Sequence, residues 1–256
     1  MSIFIVFVLG LAIGSFLNVC IYRISHNLSI IKPSSFCPSC RKTIAFYDNI
    51  PVISYFLLGG KCRHCGSKIS LRYPLVELIT AVDTCLLFIK WMREPYWLGA
   101  VLILSYIFIV IAAMDLETFM IADLFSYLIV LIGLVFFWAN PYFKGGTVSK
   151  FLQFFGGLIA GAFIMWFMSF LGKKIYKKDA IGEGDIFLMA AIGSVLGIEG
   201  VFSTIILASL FGSVYAVSLM IMKKAGRRDY IPFGPFLSLG AVINLYSFVK
   251  ISTFFI

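Results

Sequence analysis

Apolar residues fall in long runs along this chain, and polar residues collect in the gaps between them. Runs of roughly the length that crosses a bilayer, about 20 residues, occupy 3–22, 74–92, 97–114, 121–139, 151–172, 186–198, 201–222 and 232–250. Each is apolar all round rather than along one stripe, which predicts eight membrane helices. The sixth run is short, and its Gly193-Ser-Val-Leu-Gly197 predicts a tilted or broken helix. A transmembrane β-barrel would instead alternate apolar and polar positions in strands of about ten residues, a pattern these runs lack. The expected fold is an all-α polytopic membrane protein of about eight transmembrane helices. One sizeable polar insertion, 23–73, separates the first helix from the second.

Composition agrees and narrows the class. Of 256 residues, 61% are apolar and 13% charged, against about 25% charged in an ordinary soluble domain. So few polar side chains cannot cover a soluble surface, and 27 Phe are the opposite of a disordered composition. Residues 1–22 are not expected to be a cleavable signal, because the start lacks a basic residue and no small-residue cleavage site follows.

The net charge of +9 is informative through its distribution. Segment 23–73 carries Arg23, Lys32, Arg41, Lys42, Lys61, Arg63, Lys68 and Arg72. The later gaps carry Lys173, Lys174, Lys177 and Lys178, and then Lys223, Lys224, Arg227 and Arg228. With eight spans and the N-terminus outside, 16 basic residues face the cytoplasm. The other five (Lys90, Arg93, Lys144, Lys150 and Lys250) face outward. This is the positive-inside bias. Anionic lipid headgroups account for the surplus, so no nucleic-acid partner is expected.

The insertion holds Cys37-Pro-Ser-Cys40 and Cys62-Arg-His-Cys65, separated by 21 residues. Two such pairs suit tetrahedral Zn²⁺, each pair forming a knuckle that supplies two thiolates. This predicts a small zinc-ribbon-like module whose metal is structural, since about 50 residues bury little core alone. Iron or redox chemistry and unligated thiols are the alternatives; disulfides are disfavoured in the cytoplasm. Cys20 and Cys85 lie within apolar runs and read as packing residues.

The 12 acidic residues are few enough to consider singly. Glu77 and Asp83 fall in the second apolar run, where ionisable groups are costly and suggest function. Asp115 ends the third run, and Asp185 closes Gly182-Glu-Gly184-Asp185. The charge distribution places both at the cytoplasmic ends of their spans, where bundle folding can bring them together. A converging pair is what aspartic proteolysis needs: two close carboxylates share one proton and activate water. The glycines beside Asp185 let a substrate backbone approach closely. The Gly10/Gly14, Gly157/Gly161 and Gly193/Gly197 pairs read as helix-packing faces. Pro232-Phe-Gly-Pro235 reads as a helix-entry turn, or as a re-entrant corner lining the site.

An ordered series of motifs runs through almost the whole chain: Gly14-Ser-Phe-Leu-Asn-Val19, Tyr22-Arg23, and the two cysteine pairs around Asn49-Ile-Pro51 and Ser54. Arg72-Tyr-Pro74 with Glu77 follows, then Asp115 with Thr118 and Asp123, Gly182-Glu-Gly184-Asp185, and Pro232-Phe-Gly-Pro-Phe-Leu237. The series resembles the bacterial type IV prepilin peptidases, aspartic peptidases of the GxGD type. The resemblance implies a catalytic dyad of Asp115 and Asp185, with Asp123 accessory. It also implies methylation of the new N-terminus by S-adenosylmethionine, associated with an N-terminal region, 1–95, while 96–256 forms the peptidase domain. The implied substrates are type IV prepilins or pseudopilins, cut after Gly at the cytoplasmic edge of the inner membrane. The chain departs from the family pattern with Ala122 in place of Pro, Phe187 in place of Lys and Ser25 in place of Pro. Ala122 is expected to loosen its turn, and Phe187 removes a cation. Rival readings are a transporter with functional intramembrane acids and a non-enzymatic assembly factor docking partners through its zinc module.

Overall fold

The computed structural model describes residues 2–249 except Pro33, 178–180, Ala225 and 227–229, and omits the side chain of Tyr176. Among the charges used for orientation, Lys178, Arg227, Arg228 and Lys250 lie outside the described residues, as do Asp179 and Asp229. The described residues form helices and turns, with two isolated β-bridges and no strand. The chain divides into two compact units, Met1–Arg93 and Glu94–Ile256.

In the first unit, α1 (Ile3–Ser25) and α3 (Arg72–Trp91) pack antiparallel, with the single-turn α2 (Ile53–Leu57) between them in sequence. Small residues set the approach. A Cβ on Gly10 would lie 2.6 Å from the Ala81 Cα, and one on Gly14 would lie 2.7 Å from the Glu77 Cα. One turn beyond Gly14, the Asn18 side-chain amide donates to the Tyr73 carbonyl at 3.0 Å. Pro74 sits in the first turn of α3, where its missing N–H breaks no helix bond. Between His26 and Leu71 the described residues bury only Cys37 and Ser54.

The second unit contains α4 (Pro95–Thr118), α5 (Asp123–Phe136), α6 (Thr147–Tyr176), α7 (Glu183–Ile221) and α8 (Gly234–Tyr246). Every apolar run of the sequence falls on a helix, and the sixth and seventh runs share α7. Among the described residues, α1, α4, α6 and α7 are long and apolar enough to cross a membrane. At 1.5 Å per residue, α5 and α8 reach only about 20 Å of a hydrocarbon core about 30 Å thick. The α7 helix breaks at Gly197, whose φ of 68° and ψ of −175° belong to a region essentially reserved for glycine.

The α6–α7 contact explains Gly157, Gly161 and Gly193. A Cβ on Gly157 would collide with the Gly193 carbonyl, and a Cβ on Gly193 with the Gly157 carbonyl. A Cβ on Gly161 would strike the Met189 carbonyl. Backbone faces backbone, so no side-chain rotation can relieve an added methyl. Gly157→Ala or Gly193→Ala should therefore push the helices apart and cost about 1–3 kcal/mol. Gly99→Ala, with nothing within 4 Å of its Cβ, should instead add up to about 1 kcal/mol of helix propensity. Thermal melting in detergent separates the two signs.

Candidate active site

Three helix ends of the second unit build the acidic site. Asp115 lies in the last turn of α4 and is 5% exposed. Behind it the chain turns sharply at Phe119, which has a left-handed φ of 56° and donates its N–H to the Asp115 carbonyl at 3.0 Å. The Asp115 Oδ2 accepts the Gly234 N–H at 3.0 Å. Asp115 thus satisfies one of the N–H groups that the first turn of α8 leaves without a helical partner. The Pro-Phe-Gly-Pro segment therefore lines the acidic site. A Cβ on Gly234 would lie 2.7 Å from that same oxygen, so glycine is what lets the backbone reach it.

Asp185 occupies the first turn of α7, is 8% exposed, and donates its N–H to the Gly182 carbonyl at 3.2 Å. Its Oδ1 is buried without a hydrogen-bond donor. Ile121 lies against both arms of the site. A Cβ on Gly184 would be 3.1 Å from the Ile121 Cβ, and one on Gly234 would be 2.8 Å from the Ile121 Cδ1. Gly182 is the N-cap of α7, with extended backbone. Asn244 anchors α8 to α7: it donates to Thr204 Oγ1 at 3.2 Å and accepts from Ser203 Oγ at 2.8 Å.

Asp123 stands exposed at the first position of α5, where a carboxylate favours the helix dipole. Among the described residues its side chain makes no hydrogen bond or ion pair. Its predecessor Ala122 has φ −73° and ψ 123°, the backbone that proline would impose. Ala122 thus holds a φ that proline also adopts. Phe187 is exposed on α7. The contacts of Gly234 and Ile121 were not legible in the sequence; the Pro-Phe-Gly-Pro motif was the available signal for Gly234.

In the first unit, the four paired cysteines form one cluster whose Sγ atoms all lie within 4.8 Å of one another. The two knuckles repeat each other bond for bond. The Cys37 N–H reaches the Lys42 carbonyl and the Arg41 N–H the Cys37 carbonyl; the Cys62 N–H reaches the Ser67 carbonyl and the Gly66 N–H the Cys62 carbonyl. Arg41 and Gly66 both take positive φ at the equivalent corner. The bridges Phe36–Thr43 and Lys61–Lys68 close the two loops. The Cys37 and Cys65 sulfurs are 3.9 Å apart, matching the edge of about 3.8 Å in a tetrahedron with metal–sulfur bonds of about 2.3 Å.

The thiols do not titrate alike. Burial pushes Cys37 up, but bonds from the Cys40 backbone and the Ser67 hydroxyl bring it down to about 6. The Ser67 hydroxyl and N–H also lower Cys65. The Lys42 backbone bond favours the Cys40 thiolate, yet burial and the neighbouring Cys37 and Cys65 hold Cys40 up at about 11. Four thiolates together thus call for a cation, and the donor set fits a thiophilic metal ion. Arg63 donates to Asp48 at 2.7 Å and 2.6 Å, tying the second knuckle to the 3₁₀ turn Phe46–Asn49. Glu77, 7% exposed, accepts the Val52 N–H at 2.7 Å.

Two family profiles match in succession: the bacterial peptidase A24 N-terminal domain over residues 8–91, and the type IV leader peptidase family over residues 102–217. The type 4 prepilin-like proteins leader peptide-processing enzyme of Escherichia coli O78:H11 is 35% identical over 257 residues, covering 93% of this chain and 91% of the relative. The prepilin leader peptidase/N-methyltransferase of Neisseria gonorrhoeae is 35% identical, covering 92% of this chain and 87% of the relative. That of Pseudomonas aeruginosa is 30% identical, with 93% and 87% covered. No solved structure matches.

Proposed function

This chain belongs to the type IV leader peptidase family, and on that footing we propose that it cuts the basic leader from prepilin-like proteins by aspartic proteolysis and methylates the new N-terminus. One observation carries the peptidase reading: two buried carboxylates from different helices, Asp115 at the end of α4 and Asp185 at the start of α7, lie on the two sides of Ile121, which packs against both Gly184 and Gly234. One carboxylate takes a proton from water, which attacks the scissile carbonyl. The protonated partner donates to the carbonyl oxygen, and a proton then passes to the leaving amine. Two carboxylates that share one proton titrate as a unit, so their apparent pKa values belong to the pair rather than to either residue. The Gly234 N–H holds Asp115 in place, while Asp185 keeps an oxygen free of protein donors.

Eight spans with the N-terminus outside would place this site at the cytoplasmic edge of the inner membrane. There it would meet the junction between a basic leader and an apolar helix. The peptidase chemistry belongs to residues 96–256 and the methyl transfer to 1–95. Cys37, Cys40, Cys62 and Cys65 would hold a structural Zn²⁺. S-adenosylmethionine would supply the methyl group from its sulfonium. Incubating the reconstituted chain with a prepilin and S-adenosylmethionine should release the leader and add one methyl mass to the new N-terminus, read by mass spectrometry. An intact prepilin would overturn the peptidase reading and favour a transporter or assembly factor.

A further inference from the structure

Glu77 is a buried carboxylate with too few donors. Among the described residues no ion pair reaches it; its partners are the Val52 N–H and the Ser15 hydroxyl. The Val52 contact rests on an unusual backbone. Val52 has φ 62° and ψ −51°, and the Ile53 N–H bonds back to the Pro51 carbonyl at 2.6 Å. This is a γ-turn of the rare, strained hand, here around a β-branched residue. Such strain persists where surrounding structure holds it, often at functional sites. Its effect here is to aim a backbone N–H at one oxygen of Glu77.

One helical turn away, Asn18 presents a second unmet acceptor. It is 2% exposed, and its Nδ2 is occupied by the carbonyls of Tyr73 at 3.0 Å and Gly14 at 3.3 Å. Its Oδ1 is buried without a donor. The Tyr73 carbonyl lies one turn before Glu77 on α3, and Gly14 lies against the Glu77 Cα. Glu77 and Asn18 therefore occupy adjacent turns of the same α1–α3 contact, which holds one carboxyl group and one neutral acceptor. A ligand suited to it brings several N–H donors and a positive charge. A primary ammonium group does both.

We propose that Glu77, Asn18 and the Val52 turn form a seat for a primary ammonium in methyl transfer. This rests on the reading of residues 1–95 as the methyl-transfer region. Two reactants carry such a group: the new N-terminus of the cleaved substrate, and the amino-acid end of S-adenosylmethionine. If the seat holds the substrate, Glu77 also takes the proton that the ammonium must lose before its nitrogen can bond carbon. The methyl carbon then joins that nitrogen as its bond to the donor sulfur breaks, leaving a neutral thioether and a methylated ammonium.

The test uses the full chain in liposomes, with a mature pilin N-terminal peptide and radiolabelled S-adenosylmethionine. Glu77→Gln keeps the size and an acceptor for Val52. It should leave leader cleavage within about twofold and lower methyl transfer at pH 7 about 100-fold, within the usual range for general-base removal. For a substrate seat, transfer recovers as pH rises past about 8, where an α-amine deprotonates unaided, and donor affinity by calorimetry is unchanged. For a donor seat, donor affinity falls and high pH restores nothing. Binding to the wild-type chain keeps the test independent of folding. Either N-acetylation of the peptide or removal of the donor's amino group should weaken binding at least about tenfold. Unchanged binding with both edited ligands, or full transfer and donor affinity in Glu77→Gln, would overturn the seat. Failure of the wild-type chain to transfer any methyl would instead count against the function of the region, and the binding comparison would still judge the seat.

Discussion

Asp115→Asn and Asp185→Asn should each lower leader cleavage by about 10⁴-fold, the upper range for removing a positioned acid or base. Neither should unfold the chain. In Asp115→Asn the side-chain amide oxygen can still accept the Gly234 N–H that Asp115 now accepts at 3.0 Å. Asp185 has one buried oxygen with no donor, so its amide replacement forfeits little bonding. Neither amide can take a proton from water. Because the carboxylates act as one unit, the double variant should be no worse than either single one. Asp123→Asn is the internal control, since Asp123 is exposed on α5 and should retain cleavage within about threefold. Cleavage of a synthetic prepilin in liposomes measures all four. Full activity in either single variant would remove that residue from the chemistry, and a residual rate differing strongly between the two would argue against a shared proton.

Metal removal should have the second largest effect, confined to a different place. Between His26 and Leu71 only Cys37 and Ser54 are buried among the described residues, so this segment has no apolar core to fall back on. Structural zinc sites bind with about 10–16 kcal/mol, far more than a few hydrogen bonds can replace. A strong chelator, or Cys62→Ser, should release one metal ion per chain and open residues 26–71 to rapid proteolysis. The α1–α3 pair should persist, because Gly10 and Gly14 against Ala81 and Glu77 hold it through direct packing. Metal analysis and limited proteolysis with mass mapping read the two effects together. A chelated chain that resists cleavage in this segment would make the thiols incidental.

The helices were legible because lipid demands uninterrupted apolar runs, and every run of the sequence falls on a helix. Their lengths were less so: α5 and α8 stop short of the hydrocarbon thickness because turns set their ends. The Gly157 and Gly193 pairs were legible as packing faces, since only backbone-to-backbone approach requires glycine at that spacing. Asp115 and Asp185 stood out because the chain has only 12 acids. What the sequence hid lies in backbone direction. Nothing in Val52 announces a positive φ, and nothing in Asn18, one polar residue in an apolar run, says which of its atoms is left without a partner. The role of Gly234 was similarly hidden, because it offers an N–H rather than a side chain.

The paired knuckles have a consequence for how tightly a metal ion would be held. Each supplies two sulfurs, and neither alone completes a tetrahedron, so the second pair would close a ring on an ion already gripped by the first. Affinity then depends on the effective concentration of one half-site around the other, set by the chain from Ala45 to Gly60. That dependence is shallow, about 0.6 kcal/mol for each doubling of a flexible connection. The intervening segment could therefore change in length and content, including the residues that build the Val52 turn, while metal affinity at the four cysteines would barely change.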